Sequence, residues 1–344
     1  MPNNTKKTIE VYFIDKIPLN VQNYLINNLS HLENVKLNFI DKVQEEYILE
    51  NISEAHIIIG WRPTLKMLEK ADNLKLVINP GAGIRHLLDI FREINKKRKI
   101  NLVNGHGNSY FVAQHAVALL LSLMNKIIPH HEWMKEGKWR TGDKEGTSIP
   151  LRFRKVGLFG YGAINQKVHQ MLTGFEVEFS ILRKHWDKQT QELITPAKKY
   201  QFWQFHDFLK EIDILIIAVP ATTITEGIIQ QKELELLGPN ALIVNVARGE
   251  IINEANLYNS LKENVIAGAA IDVWYNYDPQ NNENGKKYPY SFPFHKLDNI
   301  ILSPHRGYSP FSDLLRWNEV IENISRMSQG RNDFVNLVSL EDEY

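Results

Sequence analysis

The 344-residue chain reads as an α/β protein built on parallel sheets, and three observations predict it. Short β-branched apolar runs alternate with stretches of helical periodicity along most of the chain. The runs are largely apolar without a polar face, as expected of strands covered by helices on both sides. A glycine-rich turn near the middle, within KVGLFGYGAIN (155–165), joins one such run to a helical pattern.

In the first hundred residues the strand candidates are TIEVYFI (8–14), VKLNFI (35–40), HIIIGW (56–61) and LKLVIN (74–79). Helical segments such as 19–30 and 64–71 lie between them. The apolar-periodic stretch 109–128 predicts a single long helix that bridges into a second unit. That unit starts near Lys155 and repeats the alternation with KVGLF (155–159), VEFSIL (177–182), DILIIAV (213–219), ALIVNVA (241–247), VIAGAAIDV (265–273) and NIILSPH (299–305). Helices fit at 163–173, 229–237 and 253–263, so six strands in βα alternation match a doubly wound sheet. The polar, aromatic, Asn- and Pro-rich segment 275–297 predicts a loop, with Trp274, Tyr275 and Tyr277 expected to line or cover a cleft. One amphipathic helix, 311–329, precedes the acidic end EDEY.

The chain is long enough for two domains, each with its own core. Forty basic residues balance forty acidic ones, which argues against a nucleic-acid partner. The absence of cysteine removes disulfides, thiolate catalysis and cysteine-ligated metals. No clustered His/Asp/Glu set has ligand spacing, so no metal is implied. The start, MPNNTKKTIE, lacks the apolar stretch of a secretory leader, and the run AVALLLSLM (116–124) is far short of the ~20 residues a bilayer needs. A cytoplasmic protein without a membrane partner is expected.

The glycine turn carries the first chemical signal. Gly160 allows a tight turn, and Gly162 lets backbone approach a phosphate with no Cβ in the way. Exposed N–H groups and the helix dipole would then meet the negative charge of a dinucleotide's pyrophosphate. A plain strand-to-helix turn is the alternative. The third glycine of the pattern is replaced by Asn165, which a small helix shift would have to accommodate. At the end of the next strand, FSILRKHW (179–186) has no carboxylate to accept from a ribose 2′-hydroxyl before Asp187. Arg183 and Lys184 would instead neutralise a 2′-phosphate, or form a solvated basic turn. NADP(H) is favoured over NAD(H).

Downstream, VNVARGEIINEANLYNSL (244–261), VIAGAAIDVW (265–274) and ILSPHRGY (301–308) resemble the D-isomer-specific 2-hydroxyacid dehydrogenases. The likeness extends to NPGAGIRHL (79–87), NSYFVAQHAVALLLSL (108–123) and VPATTITEGII (219–229). It implies a doubly wound, Rossmann-type nucleotide-binding domain (108–305) inserted into a flavodoxin-like, discontinuous substrate domain (1–107 and 306–344). An active site in the cleft between them, and a homodimer with the 109–128 helix and its flanks in the interface, are implied as well.

Carried over by resemblance, Arg248 is the substrate-binding arginine, whose planar fork suits a carboxylate beside a carbonyl. His305 is the proton-transfer group. The family's Glu, five residues after the Asp of its AxDV motif, falls here on Tyr277. Asp278 serves if the loop shifts by one residue, or a hydroxyl of Tyr275 or Tyr277 orients the ring. Asp272 resembles the residue that receives the nicotinamide carboxamide. Val219, Pro220 and Thr222 resemble the loop beside the cofactor, and Ala163, Ile164 and Ala247 are further cofactor-binding candidates. Gly81, Ala82 and Gly83 resemble the loop that holds a substrate carboxylate on its N–H groups. Arg62 is either a second cleft-facing cation or a solvated loop residue.

The expected activity is hydride transfer between NADP(H) or NAD(H) and a 2-keto acid/D-2-hydroxy acid pair. Two rivals stand beside it: phosphite or formate oxidation on the same scaffold, and a nucleotide-sensing, corepressor-like protein without turnover.

Overall fold

Each apolar run marked as a strand pairs in parallel with its neighbours in the computed structural model, which describes residues 7–139, 146–187, 192–310 and 312–344. The chain divides into two compact units, Met1–Asn108 with Phe311–Tyr344, and Ser109–Pro310.

The first unit holds β1 (Ile9–Phe13), β2 (Val35–Phe39), β3 (Ile57–Ile59), β4 (Leu76–Asn79) and β5 (Asn101–Asn104) in the order β2-β1-β3-β4-β5. This is the flavodoxin-like order, with a switch point between β1 and β3. β3 and β4 are buried on every residue, because helices cover both faces of the sheet. α1 (Leu19–Leu29) contributes Val21, Leu25 and Leu29 to one face. α11 (Asn318–Ser328) returns from the far end of the sequence and adds Val320, Ile324 and Met327 to that same face. The other face is closed by α2 (Glu45–Asn51), α3 (Leu65–Lys70) and α4 (Arg85–Ile94). In α4, Leu87, Leu88, Phe91 and Ile94 recur at helical spacing and all are buried. The Thr64 side chain caps α3 by accepting from the Met67 N–H.

The second unit orders seven strands as β12-β11-β10-β9-β6-β7-β8. These are β6 (Lys155–Phe159), β7 (Glu178–Arg183), β8 (Ala197–Gln201), β9 (Ile214–Ile217), β10 (Leu242–Asn245), β11 (Gly268–Ile271) and β12 (Ile300–Leu302). The expected six strands become seven because β8, AKKYQ, is a polar edge strand that buries only Tyr200. α5 (Ser109–Met124) and α7 (Ala163–Leu172) cover one face, while α8 (Phe205–Lys210), α9 (Gln231–Leu237) and α10 (Glu254–Lys262) cover the other.

The single helix expected over 109–128 is two. Lys126 takes a left-handed backbone (φ 53°), and α6 (Ile127–Lys135) leaves α5 at 63°. α5 is packed into the core, whereas no residue of α6 is buried. Among the described residues no single helix is long and apolar enough to cross a membrane. Trp274, expected at a cleft, is buried: it packs against Tyr290 and Phe294 of the 275–297 loop and donates its Nε1–H to the Ser303 carbonyl (2.8 Å).

Candidate active site

Parallel strands deliver their loops to one edge, and in the second unit nearly every residue singled out from the sequence follows a strand there. Along the strand order the row runs His305 after β12, Asp272 after β11, Arg248 after β10, Val219 after β9, Gly160 after β6 and Arg183 at the end of β7. The order reverses between β9 and β6, which is where such sheets open a crevice.

Gly160 sits at that reversal with φ +83°, and a Cβ on it would strike the Ala218 carbonyl and the Val219 side chain, each at 2.7 Å. Gly162 precedes α7, and a Cβ placed there meets nothing within 4 Å, so open space lies beside the helix start. Ala163 and Ile164 then supply first-turn N–H groups that the helix itself cannot use, and no acidic residue opposes an anion. Asn165 stands where the third glycine of the pattern would be. It is fully buried, and its Nδ2 donates to the carbonyls of Phe159 (3.1 Å), Gly160 (2.7 Å) and Ile216 (3.3 Å), bracing the turn across β6 and β9.

Arg183 is half-buried next to this turn, where Gly160 N–H donates to the Leu182 carbonyl (2.9 Å). Burial lowers its pKa, against the pull of Asp187 and Tyr161. Lys184 beside it is exposed. Val219 and Pro220 are half-buried, and buried Thr222 donates its N–H to Thr225 Oγ1 (2.9 Å), which in turn donates to the Pro220 carbonyl (2.6 Å).

At the other end of the row, Arg248 is half-buried with an extended backbone (φ −148°). Asn245 ties its turn from both sides, donating to the Arg248 carbonyl (2.9 Å) and accepting from the Ala247 N–H (3.0 Å). Gly249 is obligatory because a Cβ there would meet the Trp274 carbonyl at 2.5 Å.

His305 has a left-handed backbone (φ 54°), which L-residues adopt at a cost. Its ring lies edge-on to Tyr277 (centroids 5.3 Å apart) and to Tyr308 (5.7 Å). Burial lowers its pKa below the ordinary histidine value; Asp272 acts to raise it and Arg248 to lower it further. The guanidinium and the imidazole, far apart in sequence, are thus within electrostatic reach of one another.

Asp272 follows β11 and is buried. Its carboxylate accepts from Ser303 Oγ (2.5 Å), the Arg306 N–H (2.7 Å) and the Gly307 N–H (2.8 Å), and lies 3.3 Å from His115 Nε2. Burial pushes its pKa up, but those partners outweigh it and hold the carboxyl below the usual aspartate range. The residue clamps the turn that carries His305. Asp278 is not where it was expected: it is exposed, its N–H donates to Asn276 Oδ1 (2.9 Å), and the group against His305 is Tyr277. The Tyr277 hydroxyl accepts from the Trp274 N–H (3.4 Å) and feels Arg248, Asp272 and Glu250. His115, Ser303 and Tyr308 were not foreseen. Ser303 lies in the SPH motif, whereas nothing in the helix pattern marks His115.

In the first unit, Gly81–Gly83 follow β4. A Cβ on Gly81 would enter the Trp61 ring (2.2 Å), so the loop packs against the segment bearing exposed Arg62. Two buried amides hold the loop's carbonyls: Asn79 donates to Gly81 (2.6 Å) and Gly83 (3.2 Å), and Asn104 to Ala82 (2.9 Å).

The profile of the D-isomer specific 2-hydroxyacid dehydrogenase NAD binding domain matches residues 117–307, more than half of the chain. The chain belongs to this dehydrogenase family. Among its 2-hydroxyacid dehydrogenase relatives, the D-3-phosphoglycerate dehydrogenase of Archaeoglobus fulgidus is 31% identical over 282 residues, covering 80% of this chain and 50% of that protein. The glyoxylate reductase of Pyrococcus furiosus is 27% identical over 279 residues, 78% of each. The chain therefore spans about half the length of the phosphoglycerate dehydrogenase and most of the glyoxylate reductase. An acyclic imino acid reductase solved with NADPH and D-Arg superposes with a TM-score of 0.74 at 25% identity, over 96% of this chain and all of that one. The fold is shared by an NADPH-dependent glyoxylate/hydroxypyruvate reductase from Sinorhizobium meliloti (TM-score 0.71, 22% identity, 98% of each chain).

Proposed function

We propose that this family member is a reductase that interconverts a small 2-keto acid and the D-2-hydroxy acid, using NADP(H) in preference to NAD(H). What supports the reading is that Arg248 acts electrostatically on His305, beside a turn clamped by Asp272. The nicotinamide supplies or accepts the hydride when bound. Gly160, Gly162, Ala163 and Ile164 would hold its pyrophosphate, Arg183 and Lys184 the 2′-phosphate, and Val219, Pro220, Thr222 and Ala247 would flank it. The NADPH and NADP in the neighbouring structures support that preference.

In reduction, Arg248 grips the substrate carboxylate and carbonyl and stabilises the alkoxide as it forms. His305 gives its proton to that oxygen; in oxidation it takes the proton back. The Gly81–Gly83 loop, its carbonyls engaged by Asn79 and Asn104, offers N–H groups to a carboxylate, and Arg62 is a further basic candidate. A cytoplasmic homodimer fits the reading, supported by the exposed Ile127, Ile128 and Met134 of α6.

The test is reduction of glyoxylate, hydroxypyruvate, pyruvate and bulkier 2-keto acids with each cofactor, followed by the absorbance of the reduced nicotinamide. Activity should vanish in His305→Ala with cofactor affinity retained. Wild-type-like turnover in that variant would remove His305 from the chemistry. A second reading, oxidation of a formate- or phosphite-type donor, is favoured by one observation: the ring against His305 belongs to a tyrosine, and Asp278 faces solvent. Turnover of formate or phosphite with no keto acid reduced would select it.

A further inference from the structure

The first unit carries a second polar cleft at the opposite edge of its sheet from Gly81–Gly83. Four basic residues stand at the N-terminal ends of neighbouring parallel strands: His56 and Lys75 directly before β3 and β4, and Lys7 and Lys99 two residues before β1 and β5. All four line a cavity of about 660 Å³, together with Arg98 and Arg331. Asp72 is the one acidic residue lining it. Arg98 is fixed in place, donating to the carbonyls of Asp72 (2.7 Å), Ala71 (2.6 Å) and Leu68. Arg331 is paired with Asp333. Among the described residues Lys7, Lys75 and Lys99 have no ion-pair partner.

His56 turns this basic rim into a built site. It is 7% exposed, and its Nδ1 accepts from the Glu10 N–H (3.3 Å), which leaves the ring proton on Nε2. That Nε2 is buried and has no hydrogen-bond partner among the described residues. Burial and Lys7 favour the neutral ring, as does Lys75; an interaction with the Glu54 carbonyl and the charge of Glu10 oppose them. A ring N–H with no acceptor at hydrogen-bond geometry, on a residue that lines a cationic cleft, suits an acceptor with negative charge.

We propose that this cleft binds a phosphate-bearing small anion, held by the His56 Nε2–H and by Lys7, Lys75 and Lys99. Separate ammonium groups around one donor suit a compact, multiply charged tetrahedral acceptor, for which lysine acts as a point charge. The volume is that of a small-molecule site. The chain's balanced charge and the concave shape disfavour a nucleic-acid strand.

The experiment follows the histidine ring resonances of the full-length protein during titration with inorganic phosphate at constant ionic strength. A parallel titration uses glycerol phosphate, and chloride serves as the control. The His56 signal, assigned by its loss in His56→Gln, should move saturably with phosphate and stay still with chloride. The double variant Lys75→Gln/Lys99→Gln should weaken the apparent affinity by roughly tenfold or more, with an unchanged circular dichroism spectrum. Tighter binding of glycerol phosphate would mark an ester as the physiological ligand, and equal binding free phosphate; both support the site. A His56 signal unmoved by tens of millimolar phosphate, or one that moves equally in the double variant, overturns it. None of these readouts depends on turnover, so they stand apart from the reductase assignment.

Discussion

Tyr277 and His305 meet edge to face, with their ring centroids 5.3 Å apart. A ring edge shields the imidazole and gives it no compensating charge. With Asp272 already engaged by four donors, His305 stays below the ordinary histidine pKa because burial and Arg248 prevail.

Reduction needs the protonated ring, so its kcat/KM should fall as pH rises through a value below 6.5. Tyr277→Glu would put a carboxylate beside the imidazole and raise its pKa by roughly one unit or more. The pH profile of reduction should move upward by that amount. A profile that stays in place would mean that the side chain at 277 does not govern the proton.

Arg248→Lys should lower kcat/KM by about a hundred- to a thousandfold for every 2-keto acid accepted. Lysine keeps the charge and loses the fork, so retention of activity would show that charge alone is needed. Steady-state kinetics with cofactor saturating separates the two.

Arg183→Glu should reverse the cofactor preference. Removing one charged hydrogen-bonding group costs about 1.5–3 kcal/mol, roughly tenfold to a hundredfold in the NADPH/NADH ratio of kcat/KM. An unchanged ratio would mean that the basic turn after β7 is simply solvated.

Acid should destabilise the second unit through two buried groups with depressed pKa values. His169, between the Tyr161 hydroxyl (2.8 Å) and Thr195 Oγ1 (2.7 Å), is pushed by burial to about 4. Its stabilisation is complete above its unfolded value of about 6.5 and is lost as pH falls toward about 4, on the order of 3 kcal/mol. Asp272 adds a loss at lower pH, as its carboxyl is protonated through a folded pKa beneath the usual range. Urea unfolding between about pH 7 and pH 4 should show the first slope in the wild type and a flatter one in His169→Gln. Identical slopes would dismiss His169 as the cause.

The sheets were legible because buried parallel strands must be apolar on both faces, as Ile57–Ile59 and Ile214–Ile217 are. β8 was not, since an edge strand is free to read AKKYQ. The helix break at Lys126 was marked only by Pro129, which has no N–H for the Asn125 carbonyl and is tolerated only in the first turn of a new helix. Of the site, Arg248 and His305 could be named because each lies in a motif at a strand end. The clamp by Asp272 was hidden, because its four donors come from a helix and a turn that sequence spacing does not relate. The Asn165 brace was hidden too, as it depends on carbonyls brought together by the pairing of β6 with β9.

That clamp determines what kind of object the His305 ring is attached to. Asp272 is rooted directly after β11, an interior strand, and it accepts from the N–H groups of the two peptides that flank the Arg306 Cα. The imidazole therefore inherits the stiffness of the β-scaffold rather than the wander of a surface segment. Adjusting its aim for a different substrate would require rebuilding the floor beneath it, so variety in substrate choice is left to the side chains around the ring.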